Sequence, residues 1–463
     1  MRGKSVTCRT ISATIANMDH TDVLIIGAGA AGLAAAREIA IAGCRVRVIE
    51  ARGRIGGRVF THKDSDSQLP IELGAEFVHG KSPVLWQLAE RAHLKIQRTS
   101  QRHWYFEDGK LTKSAAFWRK IEDVNEQMQE ADHDQSLKEF LATLPNDEKT
   151  ERTKAMLVRY VEGFHAADIA RIGIQGIVKA NEAADSIDGD QSFRFLDGYD
   201  SLMNALGAEA ESHGAELDLN TVVKEIHWSE HERVQILCDR LDGPISFTAD
   251  RALITLPLGV LQSGAIKFIP ELPNDKRAAI DHLIMGNVLR IALRFRERFW
   301  EDVKLWDQEA RMVSFDDAGF FHYPDAPFPT WWTQVPMRVP LLVGWAGGPK
   351  ADAITGSADA LVRKAIESLS LIFNLSAEDI QSQLVSSYFH DWRDDPFSHG
   401  AYSYLPVNGL ESQRILSQPI AETLFFAGEA TSVGHIGTVH GALQTGQRAA
   451  QEILASKNKT SLR

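Results

Sequence analysis

The sequence predicts an α/β protein: a doubly wound domain joined to an α+β domain made of discontinuous segments. Three observations predict it. Near the N-terminus the apolar run Val23-Leu24-Ile25-Ile26 leads straight into Gly27-Ala28-Gly29-Ala30-Ala31-Gly32, an Ala-rich stretch continues to Gly43, and a second apolar run, Val46 to Ile49, ends on Glu50. Close to the C-terminus another strand-like run, Leu424-Phe425-Phe426, delivers Gly428-Glu429. With 463 residues, the chain also exceeds one ordinary core, so two domains are the default.

The first stretch reads as strand, turn, helix and strand, with three glycines in register. Gly27 permits the tight turn, Gly29 lets backbone approach a pyrophosphate, and Gly32 lets the helix pack closely on the strand. A pyrophosphate would sit at the helix N-terminus, where free N–H groups and the dipole favour negative charge. Glu50, eighteen residues beyond Gly32, is placed to accept from ribose hydroxyls. This is a Rossmann-like dinucleotide fingerprint.

The next eight residues, Ala51-Arg52-Gly53-Arg54-Ile55-Gly56-Gly57-Arg58, continue the fingerprint. In this the chain resembles flavoproteins of the glutathione-reductase-like class, and in particular the flavin-dependent amine oxidases: monoamine and polyamine oxidases and flavin histone demethylases. The resemblance implies FAD as cofactor, with Ala51, Arg52, Gly57 and Arg58 along its pyrophosphate and flavin.

Bulk composition narrows the class. Hydrophobic and charged fractions of 44% and 24% describe a globular chain without a membrane-spanning run. The net charge is -12 and no basic cluster carries aromatic stacking residues, which argues against nucleic acid. Cys8, Cys44 and Cys238 form neither a CxxC motif nor an even framework; a reducing, cytoplasmic setting and no metal site are expected. Residues 1–20 lack the apolar core of a signal peptide and read as a disordered tail, with residues 1–17 dispensable and Met18 a natural start. Residues 459–463 read as a second tail.

Taken in order, the cofactor domain is expected from 21–98, 206–265 and 402–458, and the substrate domain from 99–205 and 266–401. In Leu69 to Gly80 a short strand ends in Gly74-Ala75, and a loop carries Glu76 and His79. Phe117, Ile121, Val124, Leu137, Phe140, Leu141 and Leu144 recur at helical spacing, as do Met156 to Phe164, giving a helical block over a substrate cavity. Runs at Val222–Ile226, Val234–Cys238 and Ile245–Thr248 read as short strands with a hairpin-type turn at Asp242-Gly243; the resemblance implies that they form a three-stranded antiparallel sheet inserted in the doubly wound domain, with Arg251 to Pro257 a buried strand leaving it. In Val288 to Phe295, Leu289, Ile291, Leu293 and Phe295 alternate with Val288, Arg290, Ala292 and Arg294, a strand with two distinct faces. Phe328 to Trp332 and Leu341 to Trp345 predict neighbouring strands, and residues 357–373 an amphipathic helix.

The amine-oxidase resemblance assigns further roles. It implies that Gly74, Ala75 and Glu76 border the cofactor, that the backbone near Val223 touches the adenine, and that Trp392 lies against the flavin. Glu429 would bond a ribityl or ribose hydroxyl, and Val439 would offer its N–H to the flavin pyrimidine at a helix N-terminus. His79 would lie in the amine channel. Tyr402 would form one wall of a cage that aligns the amine, with Thr438 at the opposite wall, where many members carry tyrosine. Ala401 stands where covalent members have cysteine, so FAD is expected to be held non-covalently. Arg290 stands where the family normally has a lysine bonded through water to flavin N5; the other reading of Arg290 is a solvent face shared with Arg294. The function implied is oxidation of an amine carbon–nitrogen bond by hydride transfer to N5, with oxygen or another acceptor completing the cycle and peroxide formed from oxygen. An amino-acid oxidase using Arg290 for the carboxylate, and a flavin-binding scaffold, are the alternatives.

Overall fold

The computed structural model describes residues 20–107, 110–112, 124–230, 232–307 and 311–460. The expected N-terminal tail with Cys8 and Met18, the helical positions Phe117 and Ile121, and residues 461–463 lie outside the described residues.

Strand His20–Ile26 occupies the middle of an eight-stranded sheet, parallel to Val46–Ile49 on one side and to Gly243–Ile254 on the other. Glu216–Asp218 extends the parallel part at the edge, and Leu424–Phe426 pairs in parallel with Gly243–Ile254. The three antiparallel strands that the resemblance implies are present, and they are continuous with the parallel strands. Gly243–Ile254 is one twelve-residue strand. It pairs antiparallel with Val234–Arg240 over its first half and in parallel with His20–Ile26 further along, so the two sheets are one. Nothing between Phe247 and Ile254 is Gly or Pro, so no residue breaks the strand between the two runs expected there.

Helix Ala30–Ile41 packs on this sheet and is enclosed by helices Asp200–Ser212 and Val439–Thr460. Its alanines let the neighbours approach: a Cβ placed at Gly446 of the C-terminal helix would lie 2.2 Å from the Ala31 carbonyl oxygen. Phe193, Phe195, Tyr199 and Leu202 belong to the same core as Val23 and Ile25. The boundary expected at residue 206 therefore falls inside a helix, and the chain re-enters this core at Phe193.

The second sheet has seven strands, and Val288–Phe295 runs between Leu384–Phe389 and Leu341–Gly347. One face presents Leu289, Ile291, Leu293 and Phe295 to a core shared with helix Ala358–Phe373. The other face, carrying Arg290 and Ala292, is covered by the segment around Ile71, Leu73 and Phe77 from the first domain. Both faces are buried, which rules out the solvent-face reading of Arg290. The helical block, Leu137–Thr143, Glu148–Phe164 and Ile174–Asp185, forms a core of its own with Ile284 and Tyr404.

Candidate active site

The glycines of the fingerprint divide into those that pack and those that face open space. A Cβ at Gly32 would stand 1.9 Å from the Gly27 carbonyl oxygen, so that position admits only glycine. At Gly29 and at Gly428 a Cβ would meet nothing within 4 Å. Gly29 is the N-cap of helix Ala30–Ile41, and Gly428 follows strand Leu424–Phe426. Gly57 comes alongside: its Cβ would lie 3.4 Å from the Gly29 Cα, and Gly56 donates its N–H to the Ala28 carbonyl at 2.8 Å. These residues line a backbone cradle with unencumbered space over a helix N-terminus, which fits a dinucleotide pyrophosphate.

Glu50 is buried and accepts from the N–H groups of Ala28 and Arg52, both at 2.8 Å. The acid thus fixes the first turn to the second. Ala51 is half-buried between them. The backbone of Asn220 and Thr221 bonds to Arg52 and Glu50, which brings the start of strand Val222–His227 to the same end of the cradle. Val223 stands in that strand with its side chain in the core. Arg52 reaches Asp395 at 2.5 Å.

Arg58 donates to the Ala401 carbonyl at 2.8 Å and to Glu429 at 2.9 Å. Glu429 also accepts from Gly437 N–H at 3.0 Å and from the Ser403 hydroxyl at 2.5 Å and Ser403 N–H. Glu429 thus ties three segments together, with Arg58 on one carboxylate oxygen and Ser403 and Gly437 on the other. Trp392 is buried, with its indole N–H on the Leu73 carbonyl at 2.9 Å, and its ring would lie 3.2 Å from a Cβ at Gly74. Ala75 N–H bonds to the Arg58 carbonyl at 3.1 Å.

Glu76 is not a cofactor contact through its carboxylate. That group is enclosed by Arg290 at 2.5 Å, Arg194 at 2.9 Å, the Trp332 indole N–H at 3.1 Å and Gln334 at 3.4 Å. Burial alone would raise its pKa, but the two guanidiniums hold it below the usual value. Arg290 also donates to the Gly74 carbonyl at 2.8 Å. Sequence reasoning missed Arg194, Trp332 and Gln334 as partners; the one visible clue is a charge between two apolar residues in Phe193-Arg194-Phe195.

Tyr402 lies in a strand paired with Ile284–Gly286 and donates its hydroxyl to the Phe164 carbonyl at 2.7 Å. Its ring would lie 3.1 Å from a Cβ at Gly437, immediately before Thr438. Thr438 is also structural, since its hydroxyl accepts the Gly441 N–H at 3.0 Å and donates to the His435 carbonyl at 2.7 Å. It is the N-cap of helix Val439–Thr460, whose first residue, Val439, sits at that helix N-terminus. His79 contacts Phe164 edge-on at 5.5 Å. Desolvation pulls its imidazole down to about 4, so it is neutral at ordinary pH.

The doubly wound sheet and the glycine cradle define a dinucleotide-binding protein. The family model for flavin containing amine oxidoreductases matches residues 30–454. "Polyamine oxidase 2" of Arabidopsis thaliana is 31% identical over 93% of this chain and 87% of its own length, and "Lysine-specific histone demethylase 1 homolog 2" of the same plant is 30% identical over 94% of this chain and 59% of its own. Among solved structures, a putrescine oxidase double mutant superposes with a TM-score of 0.79 at 22% identity, over 94% of this chain and 99% of that one. Cyclohexylamine oxidase from Brevibacterium oxydans gives 0.77 at 20%, over 95% and 99%. The chain belongs to the flavin-containing amine oxidoreductase family. It is an FAD-dependent amine oxidase.

Proposed function

We propose that this enzyme takes a hydride from the α-carbon of a neutral amine, leaving an imine that hydrolyses in water, and that FAD is bound non-covalently. Bound flavin supplies the hydride acceptor at N5, and its reoxidation by oxygen would give hydrogen peroxide. The observation that carries the reading is the placement of Tyr402 and the neutral His79 around Phe164, beside the N-terminus of helix Val439–Thr460. Burial keeps both Tyr402 and His79 neutral, and neutral side chains favour the uncharged amine, the form that can give up a hydride. Tyr402 and Phe164 orient the substrate, and the helix dipole favours negative charge at its end. The names of the relatives, polyamine and putrescine oxidases, support an amine substrate.

The amino-acid reading loses its main support, because the Arg290 guanidinium is engaged by Glu76 and the Gly74 carbonyl. Anaerobic mixing of the FAD-loaded enzyme with amines and with amino acids separates the two. Bleaching of the flavin by amines alone is expected; bleaching by amino acids alone would overturn the proposal.

A further inference from the structure

Residues 390–401 join the cofactor cradle to the strand that carries Tyr402, and one carboxylate sits at the centre of this loop. Of the two adjacent acids, Asp394 is exposed and Asp395 is buried. Pro396 disfavours helical backbone at Asp395. Asp395 Oδ1 accepts the Phe397 N–H at 2.8 Å, which starts a turn. The Asp395 carbonyl then accepts the Ser398 and His399 N–H groups at 3.1 and 2.9 Å. Gly400, at a φ of 132°, donates to the Trp392 carbonyl at 2.8 Å and closes the loop. Ala401 follows with its N–H on the Gly286 carbonyl at 2.8 Å, and Tyr402 enters its strand from there.

The same carboxylate reaches out of the turn on both sides. Oδ1 takes the Arg52 guanidinium at 2.5 Å, and Oδ2 lies 2.8 Å from His390 Nε2. Burial alone would raise the Asp395 pKa, but the hydrogen bonds from His390 and Arg52 hold it well below the usual carboxylate range, so the group is an anion at neutral pH. Arg52 is fixed from two directions. Its backbone belongs to the cradle: the N–H donates to Glu50 at 2.8 Å and the carbonyl accepts the Asn220 N–H at 3.0 Å. Its guanidinium belongs to the loop, 5.4 Å from the centre of the Phe397 ring and 5.9 Å from that of Trp392. His390 packs edge-on to Trp392 at 4.3 Å. Trp392, Asp395 and Phe397 thus grip an arginine whose main chain is part of the cofactor fingerprint, and a buried pair of this kind is costly to break from one side.

We propose that Asp395 is a positioning residue for the reaction: by holding Arg52 it couples the seating of FAD in the cradle to the loop that delivers Tyr402. The inference rests on the amine-oxidation reading for its effect on rate. Asp395→Asn keeps the size and an acceptor for the Phe397 N–H, and removes the charge that faces Arg52. The test titrates FAD into the deflavinated wild type, Asp395→Asn, Arg52→Met and the double variant. Anaerobic bleaching of each FAD-saturated protein by saturating 2-phenylethylamine follows. Asp395→Asn is expected to weaken FAD binding about tenfold and to slow the limiting bleaching about tenfold. The double variant is expected to lose little more than either single one, because the two side chains act as a unit. An unchanged limiting rate in FAD-saturated Asp395→Asn, or losses that multiply in the double variant, would overturn the inference. His390→Phe keeps a ring against Trp392 and removes the donor to Oδ2, and it carries the test if Asp395→Asn does not fold. A severalfold loss in both quantities there supports the inference, and wild-type values overturn it. Failure of every amine to bleach the wild type would count against the proposed function instead; the FAD titrations of the single and double variants then decide the coupling by the same criterion.

Discussion

The Glu76 carboxylate meets the Arg290 guanidinium at 2.5 Å, and both side chains are at most 5% exposed. The pair joins a loop of the cofactor domain to an interior strand of the second sheet, one place in from its edge. Removing one member leaves a buried charge, which typically costs about 3–5 kcal/mol. Arg290→Met is therefore expected to lower the melting temperature markedly, and Glu76→Gln in the same chain to recover part of the loss. Arg290→Lys keeps charge but loses the fork that reaches both Glu76 and the Gly74 carbonyl, so it is expected to weaken FAD retention as well as stability. A melting temperature unchanged in Arg290→Met would refute the structural role.

Two glycines of one fingerprint are expected to respond differently to the same substitution. Gly29→Ala adds a methyl where no protein atom lies within 4 Å, so the protein folds but binds FAD more weakly. Gly32→Ala drives the methyl onto the Gly27 carbonyl oxygen and disrupts folding itself. Circular dichroism with flavin titration reads both. Full FAD affinity in Gly29→Ala would contradict the cradle.

Thr438 caps the C-terminal helix, so Thr438→Val is expected to cost about 1 kcal/mol, and Thr438→Ser to restore most of it. Denaturant unfolding of the two variants checks this. Equal losses in both would show that the hydroxyl is not the stabilising feature.

Acid stability follows from the neutral imidazoles. Burial pulls His79 and His103 down to about 4 and His440 to about 3, below the ordinary value of about 6.5. Between those values and about 6.5 the unfolded chain binds protons that the folded chain does not, so stability falls as pH drops through that window. Melting temperature recorded from pH 7 to pH 4 is expected to decline, and His440→Gln to flatten part of the decline. An unchanged slope would show that His440 is solvated.

The cofactor cradle was legible because its signal is local. Gly27, Gly29, Gly32 and Glu50 lie within one strand–helix–strand unit, where spacing alone sets the geometry. Alternation in Val288 to Phe295 likewise revealed two faces. It could not reveal that both are covered, because Glu76 is 214 residues from Arg290 in sequence and reaches it only through tertiary packing. The same holds for the other partners of Glu76: Arg194, Trp332 and Gln334 come from distant stretches that only tertiary packing brings to it. That Gly243–Ile254 is one strand was missed for a different reason, since a strand can change from antiparallel to parallel partners without a change in its own sequence pattern.

Amine oxidation by hydride transfer is tested most directly by anaerobic stopped-flow bleaching of the flavin with 2-phenylethylamine, unlabelled and dideuterated at the α-carbon. Bleaching by both, several-fold slower with the deuterated amine, is the expected result. Bleaching at equal rates when the chemical step is rate-limiting, or no bleaching at any amine concentration, would contradict it.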